Sequence, residues 1–422
     1  MNICDRFKKK PIARTSLYAL IEQIVSVLTS FIVVVVIARG FGAESVGEYN
    51  GVMAALALLL GIANFGTQAV IAREVAVRKL LLKRYIESAL VIRWFVSLPI
   101  ALIFACFINR VFFDFVPLTF VILIAIYSFL LGIVNLFYNA YMSLGLFSWF
   151  AVYSLASKCL LVFVVILIAE FTTWGVFEVV LSMCVVTLGA ILGMYYQVRV
   201  LKGYFRTRFS FRLSAYLIKK GVVVSLAGVA EAVTLRIDMV MLLAISGAAI
   251  TGLYSIAAQI YLAFIMAPVV IIRVFFPVYV RLLAESTIEA GNLFLRYRRG
   301  ALYFGVIISS ITLFLGEEIV LLLFGKEYHE AGKYLSLLSV GILVVVLNRL
   351  YMSVLLAYDE REKYLKITVV GAVINVIGNA VLIPLYGAIG AVLMTIVAEA
   401  LVLALAWINA SKRQQYAIPA EL

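Results

Sequence analysis

The chain has 422 residues, 65% hydrophobic and 14% charged, with a mean hydropathy of +1.12. Soluble domains run to roughly 45–50% apolar and about 25% charged residues, so a water-soluble fold is excluded. The 35 Lys and Arg against 22 Asp and Glu leave a net charge of +13. Where those charges fall decides between membrane orientation and a polyanion-binding face.

A bilayer with about 30 Å of hydrocarbon needs roughly 20 apolar residues per transmembrane helix. Apolar runs bounded by charge, Gly or Pro fall at 15–37, 46–70, 87–108, 116–140, 149–169 and 175–198. After a basic segment at 199–220, further runs fall at 221–246, 252–275, 300–314, 334–356, 364–383 and 388–409. They are continuous instead of alternating, which predicts helices and not barrel strands. The chain therefore reads as an all-α integral membrane protein of twelve transmembrane helices. Residues 1–198 form an N-terminal six-helix lobe, 199–220 a basic cytoplasmic linker and 221–422 a C-terminal six-helix lobe. No room remains for a soluble catalytic domain.

The first run follows Arg6, Lys8, Lys9, Lys10 and Arg14, as a signal peptide's apolar stretch would. It exceeds 20 residues and lacks a small-residue cleavage site, so it reads as a retained first helix. Of the Lys and Arg, 27 fall on one side: in the amino terminus, at 73–84, 199–220, 273–299 and 361–366, and at Lys412 and Arg413. Arg39, Arg110, Lys326 and Lys333 fall on the other, and Arg93, Lys158, Arg236 and Arg349 lie within spans. This bias puts both termini in the cytoplasm and explains the net charge without nucleic acid. Cys4, Cys106, Cys159 and Cys184 have no CxxC spacing, and His329 has no second His, which argues against a disulfide framework or a metal site. No cofactor is expected.

Residues 42–49 read GAESVGEY and 247–254 read GAAITGLY, both G-A-x-x-x-G-x-Y, at an offset of 205 residues. Each copy lies at the turn between the first two helices of its half. Since each half has an even number of spans, the repeats are parallel, related by an axis along the membrane normal. Such repeats meet around a central site and rock to give alternating access.

A charge inside the bilayer is costly unless it faces a bundle interior or water, so each one is a functional candidate. The candidates are Glu22 in span 1, Arg93 in span 3, Lys158 in span 5, Glu231, Arg236 and Asp238 in span 7, Arg349 in span 10 and Glu399 in span 12. Glu231, Thr234 and Asp238 share one stripe of span 7, while Arg236 points about 200° round the helix from Asp238, so a partner for Asp238 is expected on another span. Arg93, about two turns from the cytoplasmic side, can snorkel, whereas Lys158 is too deep for that. Stripes at Asn135 and Asn139 in span 4, Asn64 and Gln68 in span 2, and Asn375 and Asn379 in span 11 suit a hydrated cavity for hydroxyl-rich ligands. Amides also glue membrane helices together. Pro268 and Pro277, within span 8 and at its exit, are positions for a kink or hinge.

Several motifs carry a family resemblance: residues 38–42 (ARGFG) with 46–49 (VGEY), 236–238 (RID) with 252–254 (GLY), 324–328 (FGKEY) with Ala331, and 383–391 (IPLYGAIGA). In this order and spacing the chain resembles the Wzx-type polysaccharide and O-antigen flippases of the multidrug/oligosaccharidyl-lipid/polysaccharide exporter superfamily. The resemblance implies two six-helix lobes around a central cavity in a bacterial cytoplasmic (inner) membrane. It implies a substrate of oligosaccharide joined by pyrophosphate to undecaprenol, turned from the cytoplasmic to the outer leaflet, with polysaccharide polymerase or assembly proteins as partners. Lys158, Arg236, Arg349 and Arg93 would then bind phosphate or acidic sugars, and Asn135, Asn139, Asn375 and Asn379 hydroxyls. With no GxxxxGK[ST] phosphate loop, the expected drive is a proton or monovalent cation gradient, with Glu22, Glu231, Asp238 and Glu399 as coupling acids.

Rival functions are a multidrug or cation antiporter of the same superfamily, a lipid II flippase of the same fold, though those resemble fourteen-span proteins and this chain closes at twelve, and a membrane glycosyltransferase. The antiporter would favour an aromatic, acidic pocket, whereas several deep charges here are basic. The glycosyltransferase would need catalytic acids in a sizeable loop. The longest outer loop, 315–333, holds Glu317, Glu318, Glu327, His329 and Glu330 and reads as solvated.

Overall fold

A computed structural model of the chain describes residues 12–63, 65–67, 70–71, 82–144, 147–171, 175–197 and 210–414. Among these the architecture is all-α, with no strand. Helix α1 (Ile12–Ala63) is followed by α2 (Leu82–Ile92), a π-turn over Arg93–Ser97, and α3 (Leu98–Phe112). Next come α4 (Leu118–Leu144), α5 (Phe147–Phe171), α6 (Val176–Tyr196), α7 (Phe211–Ser246), α8 (Ala248–Glu285) and α9 (Thr287–Phe324). A 3₁₀ turn at Lys326–Tyr328 leads to α10 (His329–Ala357), α11 (Arg361–Tyr386) and α12 (Ala388–Gln414).

Ten helices among the described residues are long and apolar enough to cross a membrane. The first, Ile21–Leu58, holds two predicted spans, because α1 breaks at Gly42, whose φ of 85° and ψ of 175° suit glycine. Helix α7 is not among the ten because several of its side chains, at 223, 224, 227 and 231, lie outside the described residues. With α1 divided and α7 added, every predicted span has its helix. The break at Gly42 recurs at Gly247, between α7 and α8, with the same φ of 85° and ψ of 175°. The sequence repeat is thus also a repeat of backbone geometry.

Contacts group the chain into two units, Met1–Gly42 with Val52–Val229, and Ala43–Gly51 with Ala230–Leu422. In the first, Tyr138, Phe147 and Phe150 form an aromatic knot with centroids 5.2–5.4 Å apart, where α4 meets α5. In the second, the two repeat motifs touch reciprocally. A Cβ on Gly47 would strike the Ala248 carbonyl, and one on Gly252 the Ala43 carbonyl. Beside them Asn50 Nδ2 donates to Ser255 Oγ at 2.9 Å, a bond between equivalent positions 205 residues apart. The second motif glycine is therefore needed for close backbone approach, as small residues are at membrane helix interfaces. A cluster of Phe275, Tyr279, Phe294, Tyr351 and their neighbours closes the core of this unit, with Phe275 stacked on Tyr279 at 4.9 Å.

Several boundaries differ from expectation. The second span does not run helically to Val70: Phe65 and Gly66 turn to φ values of 49° and 57°, and Gly66 lies against the Gly221 carbonyl. Residues 315–333 are not a loop. Helix α9 continues to Phe324 because residues 315–324 (LGEEIVLLLF) stay rich in helix formers, and Gly325 at φ 105° ends it. At its start, Ser286 accepts from the Glu289 amide at 3.3 Å, a side-chain N-cap. Helix α8 runs unbroken past Pro268 and Pro277. Asn64, Gln68 and residues 198–209 of the basic segment lie outside the described residues.

Candidate functional site

Each unit encloses its own polar cluster. In the first, α1 and α5 bring Glu22 and Lys158 together, with Lys158 Nζ 2.5 Å from Glu22 Oε1. Ser154, one turn before Lys158 on α5, donates to the same oxygen at 2.9 Å. The Lys158 ammonium also lies 3.5 Å from the Glu22 carbonyl. The side chains are 17% and 11% exposed, so the carboxylate takes a cation and a hydroxyl in place of most of its water. Lys158 and Glu22, expected to act separately on substrate and coupling ion, form one bonded pair.

Arg93 opens the π-turn and is 1% exposed. It does not snorkel: its guanidinium is enclosed by protein, so the stem does not lead out to a solvated surface. Asn135 is exposed, and Asn139 donates to the Asn135 carbonyl at 2.8 Å, a bond within one helix.

In the second unit the cluster joins α7, α8, α10 and α12. Asp238 accepts from the Tyr254 hydroxyl and, at 2.8 Å, from the Met239 amide. Tyr254 is the last residue of the second repeat motif, and it supplies the partner expected on another helix. Its oxygen lies 3.4 Å from Thr395 Oγ1, one turn before Glu399 on α12. Glu399 accepts from Asn348 Nδ2 at 2.6 Å. Between the two acids, the buried Tyr261 hydroxyl has no hydrogen-bond partner among the described residues and feels the charges of Glu399, Arg349 and Asp238. Gly341 leaves the space that this hydroxyl needs, since a Cβ there would press on it. Arg236 lies in the electrostatic field of both Asp238 and Tyr49.

Thr234, Asn348, Arg349, Tyr364, Thr368 and Glu399 line a cleft of about 30 Å³. One water needs roughly 10–15 Å³ by the same measure, so the cleft admits water or a small cation and not a sugar. Asn375 and Asn379 lie outside it; both are buried on α11, where Asn379 Nδ2 donates to Asn375 Oδ1 at 2.9 Å. Asn375 Nδ2 and Asn379 Oδ1 have no hydrogen-bond partner among the described residues. Glu231 lies on α7, and its side chain is outside the described residues. No group of three or more His, Cys, Asp or Glu able to hold a metal occurs among the described residues.

Ser154, Tyr254, Tyr261, Asn348 and Thr395 join the clusters without having been singled out by charge. A signal exists for some of them: Ser154 and Thr395 each precede a deep charge by four residues, and Tyr254 and Tyr261 share a face of α8 at a seven-residue spacing.

These features define a multi-pass membrane protein with charged groups enclosed within its helices, and its fold is that of the MOP-superfamily transporters. The chain is similar to the lipid II flippase MurJ in an inward closed conformation (TM-score 0.74, 13% identity, covering 94% of this chain and 87% of that one). It is also similar to an inward-facing multidrug resistance MATE family transporter of the MOP superfamily (TM-score 0.71, 16% identity, covering 92% and 94%). A third likeness is to a MOP superfamily transporter from Pyrococcus furiosus (TM-score 0.65, 14% identity, covering 96% and 95%). At such identities the likeness is one of fold. Residues 12–283 match the polysaccharide biosynthesis protein family, and the chain belongs to it. A curated relative, the capsular polysaccharide biosynthesis protein CapF of Staphylococcus aureus, is 30% identical over 115 residues, which span 27% of this chain and 29% of that protein. The family resemblance read from the motifs is borne out.

Proposed function

We propose that this protein carries undecaprenyl-pyrophosphate-linked oligosaccharide repeat units from the cytoplasmic to the outer leaflet of a bacterial cytoplasmic membrane, for polysaccharide or O-antigen synthesis. The observation that carries the reading is membership of the polysaccharide biosynthesis family in a chain built of membrane-crossing helices. The charge bias supports a topology with both termini in the cytoplasm, and polysaccharide polymerase or assembly proteins would take up the product.

The buried cations suit a diphosphate. Arg236 and Arg349 offer planar forks that bind phosphate oxygens in pairs. Lys158 reaches a phosphate only by giving up Glu22, which ties anion binding in the first unit to the charge state of that acid. Arg93 adds a further enclosed positive charge. The amides of Asn135, Asn139, Asn375 and Asn379 match sugar hydroxyls in donor and acceptor chemistry.

Movement follows alternating access, driven by a proton or monovalent cation gradient. Asp238 and Glu399 are held by neutral donors, Tyr254 and Asn348, which tolerate either protonation state: the phenol can reverse from donor to acceptor, and the amide can turn over to present its oxygen to a protonated acid. Glu22 and Glu231 complete the coupling set.

The test is flipping in liposomes of a fluorescent undecaprenyl-pyrophosphate oligosaccharide, with and without an imposed proton or sodium gradient. Gradient-dependent transfer is expected for the wild type, with at least a tenfold loss in the Lys158→Ala, Arg236→Ala double variant while its elution profile stays monodisperse. Retained flipping in that variant would return those cations to a structural role. The MATE-like fold makes a multidrug antiporter the second reading; efflux of cationic dyes with no glycolipid transfer would put it first.

A further inference from the structure

A groove of about 390 Å³ runs in the second unit between α8, α9 and α10, and none of its lining residues belongs to that unit's polar cluster. Its size is that of a ligand site, roughly 300–1,000 Å³. Its walls are Ile271 and Ile272 from α8, Ala301 and Phe304 from α9, and Val346 and Leu350 from α10. One end carries Arg296, first of the cations in the run Arg296-Tyr297-Arg298-Arg299 that helps make this side of the protein basic. From Arg296 to Phe304 the helical rise gives the groove roughly 12 Å of length. Ile271 is 48% exposed, so the groove opens sideways. At Gly300 a Cβ would meet nothing within 4 Å, which leaves the floor of the groove clear.

A mostly apolar groove of about 390 Å³ with an exposed guanidinium at one end has the polarity of a lipid phosphate. A diacyl phospholipid has two chains to accommodate, and a free phosphate gains nothing from the apolar walls. We infer that this groove holds the first isoprene units of a polyprenyl phosphate, with the phosphate at Arg296 and the chain lying between α8, α9 and α10. The inference rests on the proposed glycolipid substrate and adds where its lipid part docks. The sugar-binding residues and the tail groove are then separate, and the lipid keeps hold of the second unit while the head group moves.

The test is equilibrium binding of glycan-free undecaprenyl phosphate to the full-length protein in nanodiscs, independent of transport. Affinity is expected to fall with side-chain volume in the series Gly300→Ala, Gly300→Leu, Gly300→Phe, by tenfold or more at Phe. Arg296→Ala is expected to lose about tenfold for the phosphate and nothing for uncharged undecaprenol, as for one charge-assisted contact. Leu322→Phe, an exposed position on the same helix, keeps wild-type affinity and controls for the added bulk. Equal binding across the Gly300 series, or equal displacement by phosphatidylglycerol, would overturn the inference. Glycolipid flipping that survives with no undecaprenyl phosphate bound at this groove would sink the groove alone. Undecaprenyl phosphate binding that follows the Gly300 series, with no glycan transferred, would sustain the groove and sink the transport reading.

Discussion

Helices α1 and α7 open the two halves of an internal repeat, and each leads through the same glycine geometry, at Gly42 and Gly247, into its neighbour. Their acids are nevertheless held differently. Glu22 on α1 is bonded to a cation, Lys158, and to the Ser154 hydroxyl. Asp238 on α7 is bonded to a phenol and a backbone amide, with Arg236 acting on it as a field. Duplication preserved what the backbone needs at the turn and let the buried charges diverge. The backbone requirement is steric and the same in each half, whereas a buried carboxylate can be satisfied by any donor that geometry supplies.

The strongest test of this contrast is to remove one member of the first-unit pair. Lys158→Ala is expected to destabilise by about 3–5 kcal/mol, since it leaves Glu22 buried without its cation, and Glu22→Gln similarly strands Lys158. Lys158→Met with Glu22→Gln should recover most of that loss in thermal unfolding of the purified protein. A double variant as unstable as the singles would show the pair to be no more than two independent contacts.

The shared part of the repeat gives the next effect. Gly47→Ala and Gly252→Ala should each lose about 3 kcal/mol, the upper range for overpacking, because the added carbon meets a backbone carbonyl that cannot swing away. Near-equal losses in the two variants would confirm the reciprocity, and a large inequality would break it.

Tyr254→Phe is expected to lose about 2 kcal/mol, as for a buried acceptor deprived of its donor. It should also lose the gradient dependence of transport, while Asp238→Asn keeps the fold, because the phenol still donates to the amide oxygen. A Tyr254→Phe protein with normal coupling would place Asp238 outside the coupling step.

The smallest effect belongs to the bond between equivalent positions. Asn50→Ala and Ser255→Ala should each lose about 1 kcal/mol, and the double variant no more than either alone, in a double-mutant cycle.

Composition and spacing alone determined the membrane class, the helix for every span, the charge bias and the duplicated turn, and the resemblance carried by the short motifs pointed to the family. All of these are one-dimensional properties: a run of apolar residues must form a helix in lipid, because its own backbone is the only partner there. Depth likewise marked the buried charges. What only the tertiary structure decided is who meets whom. Helical periodicity names a face and not the neighbour across it, so Glu22 with Lys158, Asp238 with Tyr254, and Glu399 with Asn348 became visible only once the helices were packed. Uncharged partners such as Tyr254 and Asn348 carry no signal of membrane cost, and the extension of α9 through Glu317 and Glu318 overrode the polarity that reads as a loop. Position along the chain sets the energy of burying a group, and packing sets how that energy is offset.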